Sequence, residues 1–66
     1  MADRSIANAG DEYRRWAAQE RARAAEYARN GLGWMAEDCE LRAASNERLA
    51  ERVDAYVARY VLEARP

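Results

Sequence analysis

The residues of this chain that could do chemistry are few, and each lacks a companion its chemistry needs. Cys39, Ser5 and Ser45 are the candidate nucleophiles, but the 66 residues include neither histidine nor lysine, so only carboxylates and arginines could activate them. Cys39 is the single cysteine, which excludes an intramolecular disulfide and a Cys/His zinc site and leaves it as a small apolar residue. Glu37, Asp38 and Glu40 could face a hard cation, but on a helix Glu37 and Asp38 point about 100° apart, and carboxylate sites in bundles add a histidine that is absent here. Gly31 and Gly33 form a Gly-x-Gly with no preceding strand and no phosphate-loop lysine. These patterns predict a chain that is not an enzyme and holds no metal or cofactor.

The charged and aromatic residues are more informative. Arg14, Arg21 and Arg29, with Arg15 at the margin, are expected to project from the face of the first helix opposite its aromatic stripe, interleaved with Ala18, Ala22 and Ala25, on a surface that could lie along a phosphate backbone. Against that, Asp11 with Arg14 and Glu26 with Arg29 are i, i+3 pairs that solvate a helix. Residues 1–33 carry six Arg against five acids, a net +1, and residues 34–66 carry five against seven, a net −2, so no broad basic field draws nucleic acid in. Glu20 falls on a stripe with Tyr13, Trp16, Ala24 and Tyr27, so it requires an arginine from the second helix, such as Arg48 or Arg52, or a Tyr hydroxyl, unless that face is open for a partner protein, which makes Glu20 a candidate partner-binding residue too. Trp34 at a loop-to-helix junction, and Tyr56 and Tyr60, are candidate anchors for a partner, because aromatic side chains bury large areas with few rotatable bonds.

These side chains must be positioned by helices. The chain has 16 Ala, 11 Arg and 8 Glu, and its β-branched residues are only Ile6, Val53, Val57 and Val61, too few for a sheet. Apolar spacings of three and four predict a first helix over about 8–30, with Ser5, Asn8 and Asp11 as candidate N-caps and Asn30 and Gly31 as its C-cap. After a loop at 31–33, a second helix is predicted over about 34–64, its first turns carrying Glu37, Asp38 and Glu40 and its end marked by Arg65 and Pro66. Ser45 and Asn46 favour caps, but Met35, Cys39, Ala43, Ala50, Val53, Val57 and Tyr60 trace one face straight through them.

The expected architecture is therefore all-α: one domain over 1–66, an antiparallel helical hairpin with a short first and a longer second helix. The alternative is a monomeric three-helix bundle broken near Ser45 and Asn46. Tyr13, Trp16, Tyr27, Leu41, Leu49, Val53, Val57 and Val61 are its predicted core or oligomer interface. Tyr27, Gly31, Ala36 and Ala43 are spaced somewhat as in a tetratricopeptide hairpin, but Glu20, Arg23 and Ala24 stand where that pattern requires Trp, Leu and Gly, so the spacing is generic hairpin packing. Sixteen of the apolar residues are alanine, and so small a core calls for self-association, most simply a homodimer forming a four-helix bundle. The functional expectation is a non-enzymatic interaction or regulatory protein that binds itself and another protein through a helix face. The second reading is a nucleic-acid-binding regulator using Arg14, Arg15, Arg21 and Arg29. No run approaches the roughly 18 apolar residues of a membrane span and the first residues form no signal-peptide core, so no membrane partner and a cytoplasmic location are expected.

Overall fold

The computed structural model describes residues 9–62, with side chains through residue 61. Two helices, α1 (Ala9–Arg29) and α2 (Gly33–Val57), pack antiparallel, and α2 passes into a π-helical turn over Ala58–Leu62. No strand occurs among the described residues. The antiparallel course follows from the short connection. Gly31 adopts φ +77°, open to glycine without a Cβ penalty, the Leu32 N–H donates to the Tyr27 carbonyl at 2.8 Å, and the Gly31 N–H donates to the Ala28 carbonyl at 3.2 Å. The Leu32 carbonyl then accepts from Met35 and Ala36, both at 3.1 Å, so the end of α1 and the start of α2 share one turn.

Ser45 and Asn46 lie inside an unbroken α2, as continuity of the apolar face requires and as a three-helix bundle would not allow. Glu37, Asp38 and Glu40 fall in the second turn of α2, which begins at Gly33. Two local expectations are corrected. Asp11 lies within α1 and is no cap. The α-helix stops at Val57, where the hydrogen bonding widens to the π pattern. The candidate caps Ser5 and Asn8 and the predicted end near 64–66 lie outside the described residues.

The core differs from the predicted one. The buried residues of α1 are Gly10, Ala17 and Ala24, spaced by seven, and those of α2 are Cys39, Ala43, Ala50 and Val57, of which the last three are also spaced by seven. Heptad spacing keeps one seam of each helix against the other, and residues this small let the backbones approach closely. At Gly10 a Cβ would stand 3.0 Å from the Ala50 carbonyl and would collide with the Asp54 carboxylate. Of the predicted core, Val57 is buried, and Tyr13, Tyr27, Val53 and Val61 are half-buried on the flank of the seam. Trp16, Leu41 and Leu49 are exposed and do not belong to the hairpin core, Leu41 to the extent of 68%. Periodicity marked the right sides of the helices but not their centre: the stripe midline favours the bulky residues, whereas close packing selects the alanines beside them.

The Cα atoms span 55 × 19 × 8 Å, so the hairpin is one helix layer thick and leaves two broad surfaces beside the seam. No described helix is long and apolar enough to cross a membrane.

Candidate interaction face

The two sides of the hairpin are chemically distinct, and the heptads explain why. On one side, the positions that flank Ala17 and Ala24 are arginines, and those that flank Ala43 and Ala50 are acids. Arg21 donates from both terminal nitrogens to Glu47, at 2.5 and 2.7 Å, with its Nε 3.6 Å from Glu40. One turn before Ala17, Arg14 bridges Asp11, at 3.0 Å, and Asp54 of α2. The hydrogen bonds donated to Glu47 and Asp54 hold the Arg21 and Arg14 protons more tightly than in free arginine, and the Arg21 guanidinium draws the Glu47 carboxyl below its ordinary range. This is an ion-pair edge that fixes the register of α1 against α2. Toward the loop it opens into a shallow groove of about 660 Å³ floored by Ala24, Ala25, Ala28 and Ala36.

The opposite side is aromatic and aliphatic. From α1 it carries Tyr13, Trp16, Glu20 and Tyr27, from α2 Met35, Arg42, Leu49, Val53 and Tyr56, and from the π-helical turn Tyr60. The Tyr13 and Trp16 rings meet edge to face with centroids 5.3 Å apart, and Tyr56 and Tyr60 lie 5.0 Å apart. A depression of about 360 Å³ lies among Leu49, Arg52, Val53 and Tyr56. Trp16, Leu49, Tyr56 and Tyr60 are exposed, so the bulky apolar side chains form a surface beside a seam of alanines.

Glu20 stands in the middle of this face with its side chain only 15% exposed. It accepts a hydrogen bond from Arg42 Nε at 3.0 Å, and Arg23 approaches at 3.4 Å from the rim. The sequence reading was right to require an arginine from the second helix but named Arg48 or Arg52, whereas Arg42 fills the role. Arg42 lies within a turn of Cys39 and also donates to its Sγ at 3.2 Å. The Arg42 hydrogen bond, reinforced by the Cys39 thiol, holds the Glu20 carboxyl below the ordinary value of 4.5. The signal that could have found it was register: Cys39 and Ala43 share the buried seam, and Arg42 flanks it on the side of Glu20.

The remaining candidates are dispersed. Trp34, 67% exposed, and Leu41 are exposed on α2, seven residues apart, and Leu41 borders the groove on the ion-pair edge. Arg15 pairs with Glu12 and Arg29 with Glu26, so each of the four arginines considered for nucleic acid has a carboxylate at hand, and Arg14 and Arg21 border α2 instead of facing away from it. Glu40 is engaged by Arg21 on the ion-pair edge. Among the described residues no group of three or more His, Cys, Asp or Glu side chains is placed to hold a metal ion. Cys39 is fully buried, its Sγ accepting from Arg42. Comparison with family models, with curated proteins and with solved structures finds no match to this chain.

Proposed function

We propose that this chain is a non-enzymatic helical interaction protein that self-associates through the face carrying Trp16, Tyr27, Leu49 and Tyr56. The observation that carries the reading is the inversion of its core. Among the described residues the six buried apolar ones are four alanines, a cysteine and a valine, while tryptophan, leucine and tyrosine line one side of a single-layer hairpin. Stable domains bury their apolar faces between at least two layers, and a second copy supplies the missing layer as a four-helix bundle. Trp34 and Leu41, exposed on α2, stay uncovered in that bundle and are the positions left for another protein.

Sedimentation equilibrium at several concentrations, paired with circular dichroism, tests this. The wild-type chain of 7.5 kDa is expected at twice that mass, and Trp16→Glu with Leu49→Glu is expected to return it to the single-chain mass or to unfold it by removing the second layer. A wild-type chain that stays helical and monomeric at hundreds of micromolar overturns the proposal. Nucleic-acid binding through Arg14, Arg15, Arg21 and Arg29 is the weaker reading, because phosphates would have to displace carboxylates already in place. It predicts duplex binding that falls steeply with salt.

A further inference from the structure

We infer that the two copies pair face to face with both loops at the same end, so that Glu20 and Arg42 of the two chains alternate as a ring of four charges at the centre of the bundle. The inference rests on the self-association reading and adds its orientation. Each level of the face is set by the contacts within one hairpin. Glu20 is level with Arg42, which it accepts from at 3.0 Å, and the same register makes Tyr13 level with Leu49 and Tyr27 level with Met35. The face is thus two apolar halves separated by one charged pair.

Two copies can bury this face about a two-fold axis in only two ways. If the axis runs along the helices, α1 of each copy lies over α2 of the other at equal height. Glu20 then meets Arg42 of the second copy, Tyr13 meets Leu49, Tyr27 meets Met35, and every charge has opposite charges beside it. Arg23, at the rim of α1, comes level with Asp38 of the second copy. If the axis instead crosses the helices, α1 lies over α1 and α2 over α2. Full overlap then places the axis near the midpoints of Ala9–Arg29 and Gly33–Val57, within about a turn of Glu20 and Arg42. Glu20 would face Glu20 and Arg42 would face Arg42, two like-charge contacts in the part of the interface furthest from water. Sliding the copies apart to avoid them uncovers apolar surface at both ends. Charge complementarity and full overlap are satisfied together only with the loops at the same end.

The test measures the distance between two spin labels in the dimer. Ala58→Cys, at an exposed position at the end opposite the loop, is labelled in a Cys39→Ala background whose mass and helicity match the wild type. Loops at the same end bring the two labels within roughly 30 Å, the width of a labelled bundle. The crossed arrangement separates them by roughly 40 Å, twice the rise of the 13 residues from Ser45, the midpoint of α2, to Ala58. A second readout uses charge exchange. Glu20→Arg alone makes all four central charges positive and is expected to weaken the dimer by about tenfold or more, and adding Arg42→Glu restores alternation and recovers it. A dimer with the longer distance overturns the orientation and leaves self-association standing. A monomer at every concentration overturns both, as does a monomer whose aromatic face becomes dye-binding only after residues 1–8 are removed, which would assign the face to the chain's own N-terminal segment.

Discussion

Replacing Ala43 by leucine is expected to damage this fold more than removing any of its exposed leucines, the reverse of ordinary core behaviour. Ala43 is fully buried in the seam between α1 and α2, among Cys39, Ala50 and the facing alanines Ala17 and Ala24. Leucine brings three more carbons, which in free apolar space would contribute about 0.8 kcal/mol each. The seam has no such space. Helices in contact lie about 8–10 Å apart according to the side chains between them, so seating a leucine moves α1 outward and strips the neighbouring alanines of their contacts. Overpacking of this kind costs about 1–3 kcal/mol, against the ~3–5 kcal/mol that a core of this size supplies. At fixed chain concentration the thermal midpoint should fall by about 10–20 °C, followed by circular dichroism at 222 nm. Leu41→Ala, at a site 68% exposed, should stay within about 0.5 kcal/mol of wild type. An Ala43→Leu chain that melts at or above the wild-type temperature would refute the close seam and with it the reason the bulky residues lie outside.

Acid should weaken the fold in a defined window. Glu20 and Glu47 are held below the ordinary 4.5 by Arg42 and Arg21, so their contribution is fully present above that value and is lost as pH falls through their lowered folded values. Melting temperature against pH, with Glu20→Gln flattening the acid limb, measures it. Arg21→Glu should lower the midpoint by setting three carboxylates together with Glu40 and Glu47, and Glu47→Arg added to it should restore part of the loss, both effects shrinking in high salt. The Cys39 thiol should react with a disulfide reagent only as fast as the hairpin opens, so the rate should rise with sub-denaturing urea, and full reactivity in the native chain would contradict its burial.

Much of the architecture is legible in the sequence, because it depends on signals strong at short range. Asn30 and Gly31 end α1 as expected for a residue that tolerates φ +77°, and the scarcity of β-branched residues leaves only helices. The core was not legible for a physical reason. A stripe of apolar residues tells which side of a helix is buried, but which of two adjacent rows forms the seam depends on the distance between the axes, and that distance is set jointly by both helices. Tyr13, Trp16 and Leu49 dominate the stripe by size, and Ala17 and Ala43 dominate the contact because they are small. Arg14 and Arg21 were misplaced by the same shift: turning the seam from the aromatics to the alanines carries those arginines from the far surface to the edge of α2. The partner of Glu20 follows from the same register, which selects Arg42 over Arg48 and Arg52.

That single rotation also explains why a charged pair sits amid the aromatics. In the proposed dimer the residues beside the alanine seam form a second interface, and a uniformly apolar one would let two copies meet in either orientation with similar gain. A central Glu20 and Arg42 lower the gross affinity, since desolvating two charges offsets much of their attraction, but they penalise the orientation that sets like charges together. Replacing both residues by leucine separates these two effects. Glu20→Leu with Arg42→Leu is expected to strengthen self-association several-fold in sedimentation equilibrium while dividing the single distance between labels at Ala58→Cys into two populations, at about 30 Å and about 40 Å by the helix-rise arithmetic above. Stronger association that keeps one short distance would show that side-chain shape, not charge, orients the pair. Weaker association would show instead that the ion pair holds the two helices of each hairpin together, with the orientation following from that.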